Sequence, residues 1–436
     1  MKTTLRILTT LAALLLGGFV YQQLVVEGKL GPAAMAGTAV LTLVVIFFAT
    51  LTYLSTKRRQ AVINTLLASS VTVVTYFILD LAAGRLLIVP LSPPLVPDPY
   101  RHHALVPDSY AELRQADFQY IQRVNHLGLR GAEVTVEKPK DTRRVLMLGD
   151  SFTMGKGVQD DETFAVLVEK MLQTSLTSCN GGKVEVLNAG VDSYAPILEL
   201  LYLKRDLARL SPDLVILNLD HSDLVQESAY RHQAVRDAEG EITAVPQVWR
   251  RSLYERFLSW ATRNLYLTRV VLVHVNRAMG HRELSVRQAV NEFGREHFAH
   301  TLAGDVDRSA QWRDSFDSIG RIKAVSDSIG AEFLLTTYPW AHQLEGSHVG
   351  WVEGRKPYMK EGDQASTATQ QTIRTQAEAL HIDVLETLPA FQAYDGLGPL
   401  YFNLDPHWTP AGQKVLAEAL YQHLAKHQLA RWCTRS

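Results

Sequence analysis

Residue types that together make a hydroxyl nucleophilic occur in two distant stretches of this chain. Ser151 lies in Leu148-Gly149-Asp150-Ser151-Phe152, and Asp405 and His407 lie in Asn403-Leu404-Asp405-Pro406-His407-Trp408. A serine hydroxyl is a weak nucleophile until a base takes its proton. A histidine base works better when a carboxylate fixes its tautomer and stabilises its charge. Ser151, His407 and Asp405 supply these three roles, which is the chemistry of acyl transfer through a covalent intermediate. Simpler duties are open to each of them. Asp150-Ser151 after an apolar run is also a helix N-cap, Asp405 can hold the entry of the last helix, a loop histidine often serves at the surface, and His221 is a second candidate base.

The elements that would position these residues are legible. The run 145–148 is short and continuously apolar, as in a strand covered on both faces, and Gly149 permits a tight turn that holds Ser151 beyond the sheet. Phe164, Leu167, Val168, Met171 and Leu172 have helical spacing and predict a helix over 161–176. Further strands are predicted at 184–187, ending in Asn188-Ala189-Gly190, at 214–219, ending in Asp220-His221-Ser222-Asp223, at 331–337 and at 382–385. Helices at 197–210 and 370–380 fall between them. This alternation predicts an α/β domain with a parallel sheet, in which active groups gather beyond the carboxyl ends of the strands. Ser151, Gly190 and Ser222 then share one rim. Thr409-Pro410 is a cap and first-turn pair for the last helix, so Asp405 and His407 lie in the loop before it and reach that rim. Residues 225 to about 310 interrupt the alternation and predict a helical insertion, either a wall of the cleft or a helical pair covering one sheet edge.

The N-terminal quarter differs in composition. The runs 7–26, 33–54 and 62–79 are each near the ~20 apolar residues that cross a bilayer, and they predict a three-span transmembrane anchor over 1–90. Lys2 and Arg6 precede the first run and Lys57, Arg58 and Arg59 follow the second. Retention of these charges inside places everything after about residue 85 on the extracytoplasmic side, periplasmic or extracellular. The proline-rich stretch 91–100 cannot continue a helix, so 91–142 is expected to be a linker and N-terminal extension with a turn at 125–131, and 143–436 the globular domain.

Composition narrows the function. With 44 Lys+Arg against 45 Asp+Glu, the formal charge of -1 gives no basic field for nucleic acid. There is no GxGxxG and no GxxxxGK[ST] loop, so no nucleotide cofactor is expected. Neither Cys179 nor Cys433 has a partner at zinc-finger spacing, so no metal is expected either. A disulfide between the two cysteines and a pair of buried thiols remain equally open.

Gly149-Asp150-Ser151-Phe152, Gly190 after the second strand, the Asp-rich segment after the third, and Asp405-Pro406-His407-Trp408 before the last helix resemble the ordered blocks of the SGNH/GDSL hydrolase superfamily. The resemblance runs from about Arg144 to the C-terminus, apart from the inserted region. It implies a three-layer α/β/α domain with a parallel, flavodoxin-like sheet, Ser151 as nucleophile, Asp405 and His407 completing a triad, and an oxyanion hole using the amides of Ser151 and Gly190. Where the family pattern has Asn-Asp, this chain has Ser222-Asp223, which makes Ser222 the candidate for the third donor. The Asp-x-His-Trp form is similar to that of SGNH-like proteins of exopolysaccharide O-acetylation. The implied function is a membrane-anchored, extracytoplasmic serine esterase acting on an ester substrate such as an acylated glycan or lipid. The alternatives are an O-acyltransferase for a surface polysaccharide, served by a membrane acyl-donor protein, and a non-catalytic glycan-binding module.

Overall fold

The computed structural model describes residues 56–86, 95–114, 117–179, 182–247, 265, 309–344, 367–403 and 405–434. The chain forms two compact units, Met1–Arg85 and Leu86–Ser436. The predicted spans at 7–26 and 33–54 lie outside the described residues, as does most of the predicted insertion. The third predicted span lies in helix α1 (Thr56–Leu86), whose stretch Gln60–Asp80 has a mean hydropathy of 1.8 and is long enough to cross a membrane. Leu67, Val71, Val74 and Ile78 on it are exposed.

The second unit opens with two antiparallel hairpins in the stretch read from sequence as linker and extension. β1 (Leu95–Asp98) pairs with β2 (His102–Leu105), and β3 (Ser109–Arg114) with β4 (Gln119–Val124). Their pattern is hidden in the sequence because polar residues take inward positions: His102 and His103 are buried in β2, and Gln122 sits between Tyr120 and Val124 on the buried face of β4.

The α/β core follows. β5 (Thr142–Gly149) leads through the single turn α2 (Ser151–Met154) to α3 (Phe164–Cys179), β6 (Lys183–Asn188) and α4 (Pro196–Tyr202). The helix predicted at 197–210 continues past α4 as a wide turn, Leu203–Leu207, and a tight one, Ala208–Leu210. Next come β7 (Leu214–Leu219), α5 (Asp223–Arg231), a small hairpin of β8 (Val235–Arg236) and β9 (Ile242–Ala244), α6 (Ser309–Ser328) and β10 (Glu332–Thr337). The chain ends with α7 (Ala368–Ala379), β11 (Asp383–Glu386), α8 (Leu388–Gln392), α9 (Pro410–Leu424) and α10 (Ala430–Thr434).

The five core strands are all parallel and lie in the order β11-β10-β7-β5-β6, the flavodoxin-like order with its switch point between β5 and β7. Leu146 and Leu148 face the layer that holds Ile197, Phe316 and Ile319, whereas Val145 and Met147 face the layer of Phe164, Val168, Leu172 and Leu420. Burial on both faces is why β5 reads as an unbroken apolar run. Cys179 at the end of α3 is disulfide-bonded to Cys433 in α10, with Cα atoms 5.6 Å apart.

Arg144, just before the apolar run of β5, is fully buried. Its Nε and Nη2 donate to Glu185 Oε2 at 2.9 and 2.6 Å, Nη1 to the carbonyls of Leu210 (2.7 Å) and Val136 (3.1 Å), and Nη2 to that of Thr135 (3.0 Å). One guanidinium thus ties β5 to β6, to the end of the α4 segment and to the incoming loop. Arg144→Met leaves these acceptors unpaired and is expected to cost about 3 kcal/mol, read as a lower urea midpoint at unchanged slope. Arg144→Lys keeps the charge but not the planar fork, and recovers only part of the loss.

Candidate active site

The turn after β5 is built from backbone constraints. Gly149 has φ +151°, and a Cβ there would overlap the Thr153 side chain. Asp150 caps α2, its Oδ1 accepting from the Phe152 amide at 2.8 Å. The amide of Ser151, first in the helix, has no intrahelical acceptor. Neighbouring strands then clamp the turn. Asn188, at the end of β6, donates through Nδ2 to the Thr153 carbonyl at 2.9 Å. Asn218, in β7, donates to Thr153 Oγ1 at 3.1 Å and accepts from Thr336 Oγ1, in β10, at 2.7 Å. Arg130 donates to the carbonyls of Met154 (2.9 Å) and Val158 (2.6 Å), and its Nε to Asp160 Oδ1 (3.0 Å). Gly190 presses so closely on α2 that a Cβ would overlap the Met154 amide.

The loop before α9 brings the other two residues to this turn. His407 Nε2 lies 2.7 Å from Ser151 Oγ, and His407 Nδ1 is hydrogen-bonded to Asp405 Oδ1, which also accepts from the His407 amide at 3.0 Å. A carboxylate only accepts, so Nδ1 carries the proton and Nε2 is left to accept from the serine hydroxyl. Ser151 and His407 are both buried. Burial alone would raise the pKa of Asp405, but the charge of His407 and its hydrogen bonds, with Lys156 adding to them, hold it well below the usual carboxylate range. The imidazole lies against the Phe152 ring, with centroids 4.6 Å apart. Trp408 is wholly buried against Phe152 (4.8 Å) and Tyr338 (4.5 Å), and anchors the loop in the core. Thr409 caps α9 as its sequence predicts, accepting from the Gly412 amide at 3.4 Å.

The structure therefore brings Ser151, His407 and Asp405 together. It engages the two further oxyanion candidates elsewhere: the Gly190 amide donates to Asn188 Oδ1 at 3.1 Å, and the Ser222 hydroxyl donates to Asp220 Oδ2. His221, the other candidate base, is not bonded to Ser151. It is buried with neither ring nitrogen partnered among the described residues, and burial, opposed by Asp220, lowers its pKa to about 4. Sequence reasoning missed the clamps Arg130, Asn188 and Asn218. Asn218 left a signal, since it is the one polar residue in the apolar run 214–219. Arg130, inside a glycine-flanked turn, left none that separates it from a surface residue.

No protein-family model matches the chain, and no curated protein matches it. Among solved structures it is similar to the lipase/acylhydrolase from Enterococcus faecalis, at 13% identity and a TM-score of 0.34, over 65% of this chain and 96% of that one. It is also similar to a GDSL-like lipase from Bacteroides thetaiotaomicron, at 14% identity and a TM-score of 0.30, over 65% and 88%. An acetylxylan esterase from Geobacillus stearothermophilus is similar at 12% identity and a TM-score of 0.34, over 65% and 94%. At these levels the functional reading rests on this chain's own side chains.

The depressed Asp405 gives a pH prediction. A carboxylate whose folded pKa lies below its unfolded value of about 3.9 contributes stability above that value and loses it as pH falls toward the folded one. The difference in Tm between the wild type and Asp405→Asn is expected to shrink as pH is lowered from 5 to 2, measured by thermal unfolding at each pH.

Proposed function

We propose that this chain is a serine esterase of the SGNH/GDSL type, anchored in a membrane with its globular unit on the extracytoplasmic side. The observation that carries the reading is the continuous hydrogen-bonded path from Ser151 Oγ through His407 to Asp405. His407 Nε2 takes the hydroxyl proton as Ser151 Oγ attacks the ester carbonyl, and Asp405 stabilises the imidazolium through Nδ1. The same proton then passes to the leaving alcohol, the C–O bond breaks, and an acyl group remains on Ser151. Water, deprotonated by His407, releases it as a carboxylic acid.

The oxyanion is assigned to the Ser151 amide together with Gly190 and Ser222. The last two must exchange their present partners, Asn188 and Asp220, for the substrate oxygen. One such donor is worth about 2.7–4 kcal/mol in the transition state, so this exchange governs turnover. The placement outside the cytoplasm is supported by Lys57, Arg58 and Arg59 at the start of the apolar helix and by the Cys179–Cys433 disulfide, a bond suited to oxidising compartments.

With p-nitrophenyl acetate as substrate, Ser151→Ala is expected to lower kcat by at least about 10³-fold and to abolish covalent labelling by a fluorophosphonate. Unchanged turnover would remove Ser151 from the mechanism. Gly190→Ala displaces the backbone of α2 and is expected to cost about 10²-fold in kcat in protein whose circular dichroism is unchanged. Wild-type turnover in that variant would mean that the close approach of Gly190 to Met154 does not set the position of Ser151.

A further inference from the structure

Around the nucleophile turn lies a set of carboxylates that the ester chemistry does not use. Asp150, Asp220 and Asp223 are buried, and one carboxylate oxygen from each lies within 4.8 Å of the others. Local bonds account for part of their capacity. Asp150 Oδ1 accepts from the Phe152 amide, Asp220 accepts from the His221 amide (2.7 Å), the Trp340 indole (2.8 Å) and the Ser222 hydroxyl, and Asp223 Oδ2 accepts from the Asp220 amide (2.8 Å). Asp223 Oδ1 has no donor among the described residues.

A fourth acid arrives independently, from α4. Glu199 is 1% exposed, and neither of its carboxylate oxygens has a donor among the described residues. Its charge acts on those of Asp150 and Asp223, which places this fourth acid near the three aspartates. The nearby Glu227 supplies a contrast. Equally buried, it accepts from the Ile197 amide (2.7 Å), the Ser318 hydroxyl (2.6 Å) and Arg231 Nε (2.8 Å). Glu227 has a counter-charge, whereas Asp150, Asp220, Asp223 and Glu199 form no ion pair with lysine or arginine among the described residues.

Buried carboxylates without donors are not tolerated as bare anions. The donor set consists of oxygen alone, the choice of hard divalent cations. Ca²⁺ bonds of about 2.3–2.6 Å set opposed ligand oxygens up to about 5 Å apart, while Mg²⁺ keeps several waters and suits a more open site. We propose that Asp150, Asp220 and Asp223, with the unpartnered Glu199 beside them, hold one Ca²⁺ ion next to the turn that carries Ser151.

The test is independent of the esterase reading, because it reads binding and unfolding rather than turnover. The full-length chain in detergent, stripped with EDTA, is titrated with CaCl₂ and followed by calorimetry and thermal unfolding. One Ca²⁺ per chain is expected, with Tm raised by about 5 °C at a hundredfold excess over Kd. Glu199→Gln and Asp223→Asn, both near-isosteric, are each expected to weaken Ca²⁺ binding at least tenfold. No Ca²⁺ response in the wild type overturns the proposal, as does an undiminished response in both variants. A higher Tm in Glu199→Gln beside a calcium-blind wild type assigns neutralisation to shared protons and also overturns it. A response to Mg²⁺ alone overturns the choice of ion.

Discussion

The site depends on one backbone constraint: the chain must leave β5 at Gly149 and begin a helix at Ser151 without letting that turn drift. Gly149 makes the turn sterically accessible, but accessibility does not fix it. Position comes from the strands on either side, and the sheet register explains why they can supply it. Met147 is paired with Asn188 and Gly149 with Asn218, so each asparagine lies at or next to the end of its strand, beside the place where β5 turns. Short amide side chains there reach Thr153 directly. Strands on both sides of β5 therefore grip the turn.

The other half of the path is separated from Ser151 by 256 residues, and no local rule brings it in. Packing does. Trp408 follows His407 and is wholly buried among Phe152, Tyr338 and Phe391, so the loop cannot move without opening the core. Phe152 touches Trp408 on one side and His407 on another, which makes the residue after the nucleophile a gauge of where the base sits. On the same side of the sheet, the disulfide joins the end of α3 to α10, just beyond the helix that the histidine loop enters. Cross-linking residues 254 apart also restricts the unfolded chain, by an amount that grows slowly with loop length.

The strands of the core were legible because a parallel sheet covered on both faces demands continuous apolar runs; the bounds of β7 fell on the predicted residues. Ser151, Asp405 and His407 were legible as a set, because the strand that leads to Ser151 and the loop before the last helix reach the same rim of a parallel sheet. The hairpins before β5 were not, since Gln122 and the two histidines of β2 occupy inward positions that a hydrophobic pattern cannot mark. Nor does sequence decide a competition for one donor. The Gly190 amide and Ser222 hydroxyl, candidates from sequence for an oxyanion hole, are bonded instead to Asn188 and Asp220. The pairing of Cys179 with Cys433 belongs to the same class, because it follows from where α10 comes to rest beside α3.

Charge links these features. Two like charges 4.8 Å apart repel by roughly 3–4 kcal/mol at an effective dielectric of 20, and the cluster of Asp150, Asp220 and Asp223 contains three such pairs. That repulsion is comparable with the stabilisation one oxyanion donor provides, about 2.7–4 kcal/mol. In the proposed reaction a further negative charge develops on the oxygen of a substrate attacked by Ser151, whose covalent neighbour is Asp150. An un-neutralised cluster would oppose that charge. Neutralising the acids would thus favour the proposed chemistry as well as folding. It also bears on Ser222, whose hydroxyl is held by Asp220: lowering the charge on that carboxylate weakens its hold and frees the hydroxyl for the substrate oxygen.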